Sequence, residues 1–249
     1  LMAAAKLSAR HHGWVPSGSA RRTRNRWGLL GMANRRYRTQ QNSQGLDRST
    51  TVARMYPGAH AQTTPDKPAY IMAGTGEVVT YRQLDEASNR LAHVFEDAGL
   101  VEGDSIALFL ENNVRFYEVV WAAQRSGLYY TAISSRLTLD EAEYIVNDCG
   151  AKAFITSHYL APVAAELVGK MPNVKVALMM DGVVDGYESY ETIVAAQPTT
   201  PIANEREGAD MLYSSGTTGR PKGVKVPLPD APAGAPSSVQ LLGQMLYGF

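Results

Sequence analysis

The feature that most constrains this chain lies between Ala69 and Tyr213. Short apolar, β-branched runs alternate there with longer stretches whose apolar residues recur every three or four positions. Fully apolar strands joined by amphipathic helices admit few solutions. The one expected is an α/β fold, a parallel sheet with helices on both faces. The chain has 249 residues, of which 45% are hydrophobic and 19% charged. That is enough to bury a core, and it excludes a collagenous, mucin-like or mostly disordered polypeptide. No apolar run reaches the ~18 residues of a membrane-spanning helix.

The elements follow from local signals. Ala69–Ala73 and Glu77–Tyr81 flank Gly74-Thr75-Gly76 and read as a β-hairpin. Thr80 and Gln83 form a capping box, and Leu84, Ala87, Leu91, Val94, Phe95 and Ala98 then recur at helical spacing until Gly99. A strand is expected over Ser105–Leu110, a helix from about Val114 to Arg125, and a strand over Tyr129–Ile133. Thr138 with Glu141 caps a helix to about Asp148. Ala151–Thr156 reads as a strand, His158–Lys170 as a helix, Val174–Met180 as a strand and Tyr187–Ala196 as a short helix. A Pro/Thr connection, Pro198–Pro201, leads to a strand around Asp210–Tyr213. No internal repeat is visible.

The formal net charge of zero conceals two unlike pieces. Residues 1–54 hold eleven basic side chains and one acid, Asp47, for a net +10; the remaining 13 basic and 23 acidic residues sum to −10. The first piece lacks apolar periodicity and reads as a basic, disordered extension. An extension outside the working protein is the favoured reading. An Arg-rich organelle transit peptide and an arm for nucleic acid are the alternatives, with nucleic acid ranked last. Residues 55–249 are assigned to one α/β domain. The single cysteine, Cys149, excludes an intrachain disulfide framework and a multi-cysteine zinc site.

One strand-to-loop junction carries chemistry: Met211-Leu-Tyr-Ser-Ser-Gly-Thr-Thr-Gly-Arg-Pro-Lys-Gly-Val224. Gly216, Gly219 and Gly223 permit backbone angles that other residues resist, so several N–H groups can converge on an anion. Ser214, Ser215, Thr217 and Thr218 add hydroxyl donors, and Lys222 adds a full positive charge. The residues describe a polyphosphate-binding loop. It is not a Walker A loop, because Pro221 stands where that spacing demands glycine.

Tyr213-Ser-Ser-Gly-Thr-Thr-Gly-Arg-Pro-Lys-Gly-Val224 resembles the signature of the adenylate-forming superfamily, which includes acyl-CoA synthetases, luciferase-like enzymes and peptide-synthetase adenylation domains. Thr64-Pro-Asp-Lys-Pro-Ala69, Thr80-Tyr-Arg-Gln-Leu84, Asn89-Arg-Leu-Ala92 and Gly103-Asp104 resemble the usual opening of these enzymes. The likeness spans Met55 to Phe249 and is nearest to actinobacterial fatty-acyl-CoA synthetases. It implies two-step chemistry: a carboxylate attacks the α-phosphate of ATP, and coenzyme A then displaces AMP to form a thioester. It implies that Ser214, Ser215, Gly216, Thr217, Thr218, Gly219 and Lys222 hold the phosphates, with Mg2+ bridging them. It implies a carboxylic acid substrate, a fatty acid first, and a cytoplasmic setting.

The same resemblance exposes what this sequence lacks. Family members are longer, and their ribose-binding aspartate, acidic magnesium ligand and catalytic lysine lie further along. Many carry a histidine soon after the signature, where this chain has Lys225-Val-Pro-Leu-Pro-Asp230. The chain is therefore expected to be an amino-terminal part of a ligase, unable to complete the reaction alone. A non-catalytic remnant with a basic arm, or an aryl- or amino-acid-adenylating relative, are the alternatives. Acyl chain length and oligomeric state are not legible.

Other residues read as structural. Cys149 is expected to be a buried thiol rather than a nucleophile. His93 and His158 have no partners at metal-binding spacing. Asp85-Glu86 and Asp140-Glu141 read as first-turn acids facing helix dipoles. Tyr117, Trp121, Tyr129 and Tyr130 read as core. Ser237 with Gln240 caps a further helix bearing Val239, Leu242, Met245, Leu246 and Phe249.

Overall fold

The computed structural model describes residues 56–214 and 220–235. The expectations for residues 1–54, for Ser215, Gly216, Thr217, Thr218 and Gly219, and for the helix opening at Ser237 lie outside the described residues.

Helix α1 (Pro57–Thr63) precedes the hairpin of β1 (Pro68–Ile71) and β2 (Val78–Thr80), which pair antiparallel. Gly76 closes its turn at φ +75°, the left-handed region that glycine enters without strain. Thr80 then caps α2 (Tyr81–Asp97) in the expected reciprocal box. Its Oγ1 accepts from the Gln83 N–H, while its own N–H donates to Gln83 Oε1 at 2.9 Å. Gly99 follows the C-cap at φ +67°.

The rest alternates as the patterning requires: β3 (Ser105–Leu110), α3 (Phe116–Arg125), β4 (Tyr129–Ser134), α4 (Leu139–Asp148), β5 (Ala151–Ser157), α5 (Ala161–Leu167), β6 (Val176–Met180), β7 (Glu188–Ser189), α6 (Tyr190–Ala195), β8 (Ala209–Ser214) and β9 (Lys222–Lys225). The sheet order is β7-β6-β5-β3-β4-β8-β9. All its pairings are parallel except β8 with β9. Every residue of the central β3 is buried, as a strand covered on both faces must be. On one face Leu91 and Phe95 of α2, Val119 of α3 and Tyr190 of α6 pack on Ile106, Leu108, Ile155 and Leu178. On the other, Ile145 and Val146 of α4 and Leu167 of α5 pack on Phe109, Phe154, Met179 and Met211. Among the described residues no helix is long and apolar enough to cross a membrane.

Several local expectations are corrected. The helix expected over His158–Lys170 is a 3-10 turn, His158–Leu160, followed by α5, which stops at Leu167 ahead of Gly169 at φ +77°. Pro162, without an N–H, fits only the first turn of α5, which separates the two pieces. The strand expected from Val174 begins at Val176, and the helix expected from Tyr187 begins at Tyr190 after a two-residue strand, capped by the Ser189 hydroxyl. Helix α3 starts at Phe116 rather than Val114, because Asn113 and Arg115 are held in a polar turn by the Asn113 side chain. Tyr117 is not core: it is 48% exposed. Asp85 and Glu86 both lie beyond the first turn of α2, and Asp85 is an ion-pair partner rather than a dipole charge. Cys149 is buried, as expected, and burial raises its thiol to about pKa 11. Glu141 completes a capping box with Thr138.

Candidate phosphate-loop site

Lys222, which follows the small-residue run, opens strand β9. β9 pairs antiparallel with β8, and the register sets Ser214 directly opposite Lys222, Tyr213 opposite Gly223, and Leu212 opposite Val224. The residues between Ser214 and Lys222 thus connect the two strands at the carboxyl end of β8. That edge is where ligands meet sheets of this kind. Both Ser214 and Lys222 are exposed. Alternation along β8 and β9 puts their side chains on one face and those of Tyr213 and Met211 on the other.

The hairpin is fixed on that second face. Tyr213 OH donates to Asp148 Oδ2 at 2.5 Å, at the end of α4. Burial, reinforced by that carboxylate, pushes the Tyr213 hydroxyl well above the ordinary tyrosine range. The Arg220 guanidinium lies over the Tyr144 ring at 5.1 Å. Lys225 Nζ lies 4.2 Å from the centroid of Tyr129, whose hydroxyl donates to the Val226 carbonyl. Gly223 lies close under these side chains: a Cβ there would meet Met211 Cε at 2.5 Å and Tyr213 Cζ at 2.8 Å.

The neighbouring strand ends carry a polar row that motif reading did not find. Ser157 Oγ, ending β5, donates to Glu111 Oε2 at 2.5 Å, just past β3. Asn113 Nδ2 donates to Glu111 Oε1 at 3.0 Å and to Asp181 Oδ2 at 3.1 Å, and Arg115 Nη1 donates to Asp181 Oδ1 at 2.8 Å. Asp181 itself has φ +61°. Burial alone would raise its carboxyl, but the Arg115 and Asn113 bonds outweigh that and lower it. The signal available in the sequence was positional: polar residues directly after apolar strands, Glu111-Asn112-Asn113 and Asp181-Gly182. Among the described residues no group of three His, Cys, Asp or Glu is placed to hold a metal ion.

The parallel sheet with helices on both faces is the fold of the amino-terminal part of adenylate-forming enzymes. The chain belongs to the AMP-binding enzyme family, whose profile matches residues 58–230. A fatty acid–[acyl-carrier-protein] ligase of Streptomyces coeruleorubidus is 33% identical over 168 residues, 66% of this chain and 31% of that protein. A long-chain-fatty-acid–CoA ligase of Mycobacterium tuberculosis is 29% identical over 164 residues, 66% of this chain and 32% of its own length. The chain thus spans about a third of these relatives. Among solved structures, a Mycobacterium tuberculosis fatty acyl CoA synthetase superposes with a TM-score of 0.56 at 25% identity, covering 68% of this chain and 33% of that one. An anthranilate CoA ligase in complex with anthranoyl-AMP gives 0.59 at 24% identity, covering 66% and 33%, a likeness of fold alone.

Proposed function

We propose that this chain contributes the phosphate-holding part of an ATP-dependent acid–thiol ligase. The observation that carries the reading is the register of β8 and β9, which sets Ser214 across from Lys222 where the connection leaves the sheet. The hydroxyls of Ser214, Ser215, Thr217 and Thr218, and the backbone N–H groups at Gly216 and Gly219, are assigned to the β- and γ-phosphates. Lys222 adds its charge. In the reaction, a carboxylate oxygen attacks the α-phosphorus, and the bond to pyrophosphate breaks with its electrons. These hydroxyls, amides and Lys222 would stabilise the charge gathering on the departing pyrophosphate. The thiol sulfur of coenzyme A then attacks the acyl carbonyl, loses its proton, and AMP leaves.

The amides and the Lys222 ammonium suit phosphate oxygen, and the Ser and Thr hydroxyls could serve phosphate or a divalent cation. Magnesium, when bound with ATP, would offset the phosphate charge, with a loop hydroxyl as its candidate contact. The substrate proposed is a fatty acid, after the printed activities of the relatives. Coenzyme A is the proposed acceptor, with a carrier-protein thiol as the second reading, favoured by the Streptomyces coeruleorubidus relative. The reaction is assigned to the cytoplasm, where ATP and coenzyme A are supplied.

The test is MgATP binding by the chain, followed calorimetrically. Wild-type binding that weakens at least about tenfold in Lys222→Ala supports the reading, since a charge-assisted contact is worth ~1.5–3 kcal/mol. Wild-type chain that ignores MgATP, or a Lys222→Ala variant that binds equally well, would overturn it. Because the chain spans about a third of its relatives, it is expected not to complete acyl-CoA synthesis alone. Thioester formed by the purified chain would contradict that.

A further inference from the structure

Both ends of the connection between β8 and β9 are tied to one turn of α4. Tyr213, the residue before Ser214, donates its hydroxyl to Asp148 Oδ2 at 2.5 Å. Arg220, two residues before Lys222, sets its guanidinium 5.1 Å from the centroid of the Tyr144 ring. Tyr144 and Asp148 share one face of α4, a single turn apart. They are also joined to each other, because Tyr144 OH donates to Asp148 Oδ1 at 3.3 Å. The Asp148 carboxylate, an acceptor at both oxygens, thus takes one hydroxyl on each.

Helix α4 does not itself account for an acid at this position. Asp148 is its last residue, where the negative end of the helix dipole opposes a carboxylate. No basic residue stands in the last turn of α4 to offset it. The groups that satisfy Asp148 are the two tyrosine hydroxyls, one of them 65 positions along the chain. The helix is also a firm base. Ile145 and Val146 are buried in the core, the Thr138–Glu141 box caps its start, and Asn147 Nδ2 donates to the Lys170 carbonyl at 3.0 Å. Alternation puts the Ser214 and Lys222 side chains on the opposite face of the hairpin, so Asp148 acts on them through the backbone of β8 and β9.

We propose that Asp148 is a positioning residue for the phosphate-holding connection: it fixes Tyr213 directly and Arg220 by way of the Tyr144 ring, and so sets Ser214 and Lys222 in place before an anion arrives. The proposal rests on the assignment of this connection to phosphate, and adds to it a residue outside the linear motif. Ends that are already anchored lose less freedom on binding, so affinity rises with no new contact to the ligand. A plain charge effect has the opposite sign. Asp148 is negative, and removing its charge alone would favour a polyanion. Losing its positioning role would disfavour one.

The test is MgATP affinity, followed calorimetrically on the full chain, with the folding of each variant checked by its urea midpoint. Asp148→Ala is expected to weaken binding at least about fivefold. Tyr213→Phe removes one hydroxyl, keeps the ring, and should weaken it as much; it carries the test if Asp148→Ala does not fold. The double variant should be no more than about twofold worse than the weaker single, because both changes break the same bond. Asp148→Asn keeps an oxygen acceptor for Tyr213 and should bind within about twofold of wild type, a rescue that links affinity to the bond rather than to the charge. Wild-type or tighter binding by a folded Asp148→Ala or Tyr213→Phe chain overturns the proposal and leaves the phosphate assignment standing. So does Asp148→Asn binding as weakly as Asp148→Ala. A wild-type chain that ignores MgATP overturns both.

Discussion

Arg125 of α3 is wholly buried and donates through Nη2 to Asp85 Oδ1 of α2 at 2.6 Å. Glu205, in the connection before β8, lies 3.6 Å from its Nε. Tyr56 places its ring 5.2 Å from the guanidinium and donates its hydroxyl to Glu205 at 2.5 Å. One side chain thus ties together two helices, the segment before α1 and the approach to the site strand. Nε and Nη1 have no hydrogen-bond partner among the described residues, so Asp85 carries most of the compensation for burying this charge.

Removing Asp85 strands that charge. Asp85→Ala is expected to lower stability by ~3–5 kcal/mol, the usual effect of breaking one partner from a buried pair. Arg125→Met removes the charge and keeps most of the volume, and is expected to be milder. Urea midpoints for both variants and for the double variant check this. If Arg125→Met proves as damaging as Asp85→Ala, packing rather than the stranded charge dominates.

This pair also marks where sequence reading stops. Strand β3 was legible residue for residue, because the apolar run Ile106–Leu110 follows a Gly-Asp turn and is too short for a helix. Both capping boxes were legible because their partners stand three residues apart. Asp85 was assigned to the helix dipole instead, since its partner is 40 positions away. The same holds at the site. The Ser/Thr/Gly motif marked the connection between strands, but that Lys222 faces Ser214 in a ladder depends on β9 pairing with β8, which a linear motif does not encode. The row of Glu111, Ser157 and Asp181 is assembled from three strand ends and has no motif at all.

Two glycines, Gly208 ahead of β8 and Gly223 in β9, are expected to differ in tolerance. A Cβ at Gly208 would stand 2.4 Å from the Leu128 carbonyl and 2.8 Å from that of Ala123, both backbone atoms that cannot step aside. At Gly223 the obstacles are the Met211 methyl and the Tyr213 ring, which can. Gly208→Ala should therefore destabilise by ~2–4 kcal/mol, and Gly223→Ala by less, with its main effect on ligand binding at the loop. Equal thermal midpoints for the two variants would contradict the distinction.

Cys149 should be inert in the folded chain. It is buried at the end of α4, its Sγ lies 3.4 Å from the Val146 carbonyl, and burial holds its thiol near pKa 11. A thiol-disulfide reagent at neutral pH should modify it at least about a hundredfold more slowly than in strong denaturant. Rapid labelling of the native chain would mean that α4 opens readily from the sheet.

Glu118 of α3 should give the chain an inverted pH response. Its carboxylate accepts from the wholly buried Tyr190 hydroxyl at 3.0 Å. Burial raises its pKa to about 7 from an ordinary 4.5, against the pull of that hydrogen bond and of the Arg115 charge. The folded state then keeps a proton that the unfolded chain has released. Its contribution to stability is complete below about pH 4.5, falls as the pH rises toward about 7, and levels off above. At ~1.4 kcal/mol per unit the loss is at most ~3.5 kcal/mol. Glu118→Gln retains an uncharged acceptor for Tyr190 and should flatten the decline. Urea midpoints measured across this range for both proteins decide it: parallel curves would mean that Glu118 titrates as an ordinary surface carboxylate, and that water reaches the seam between α3 and α6.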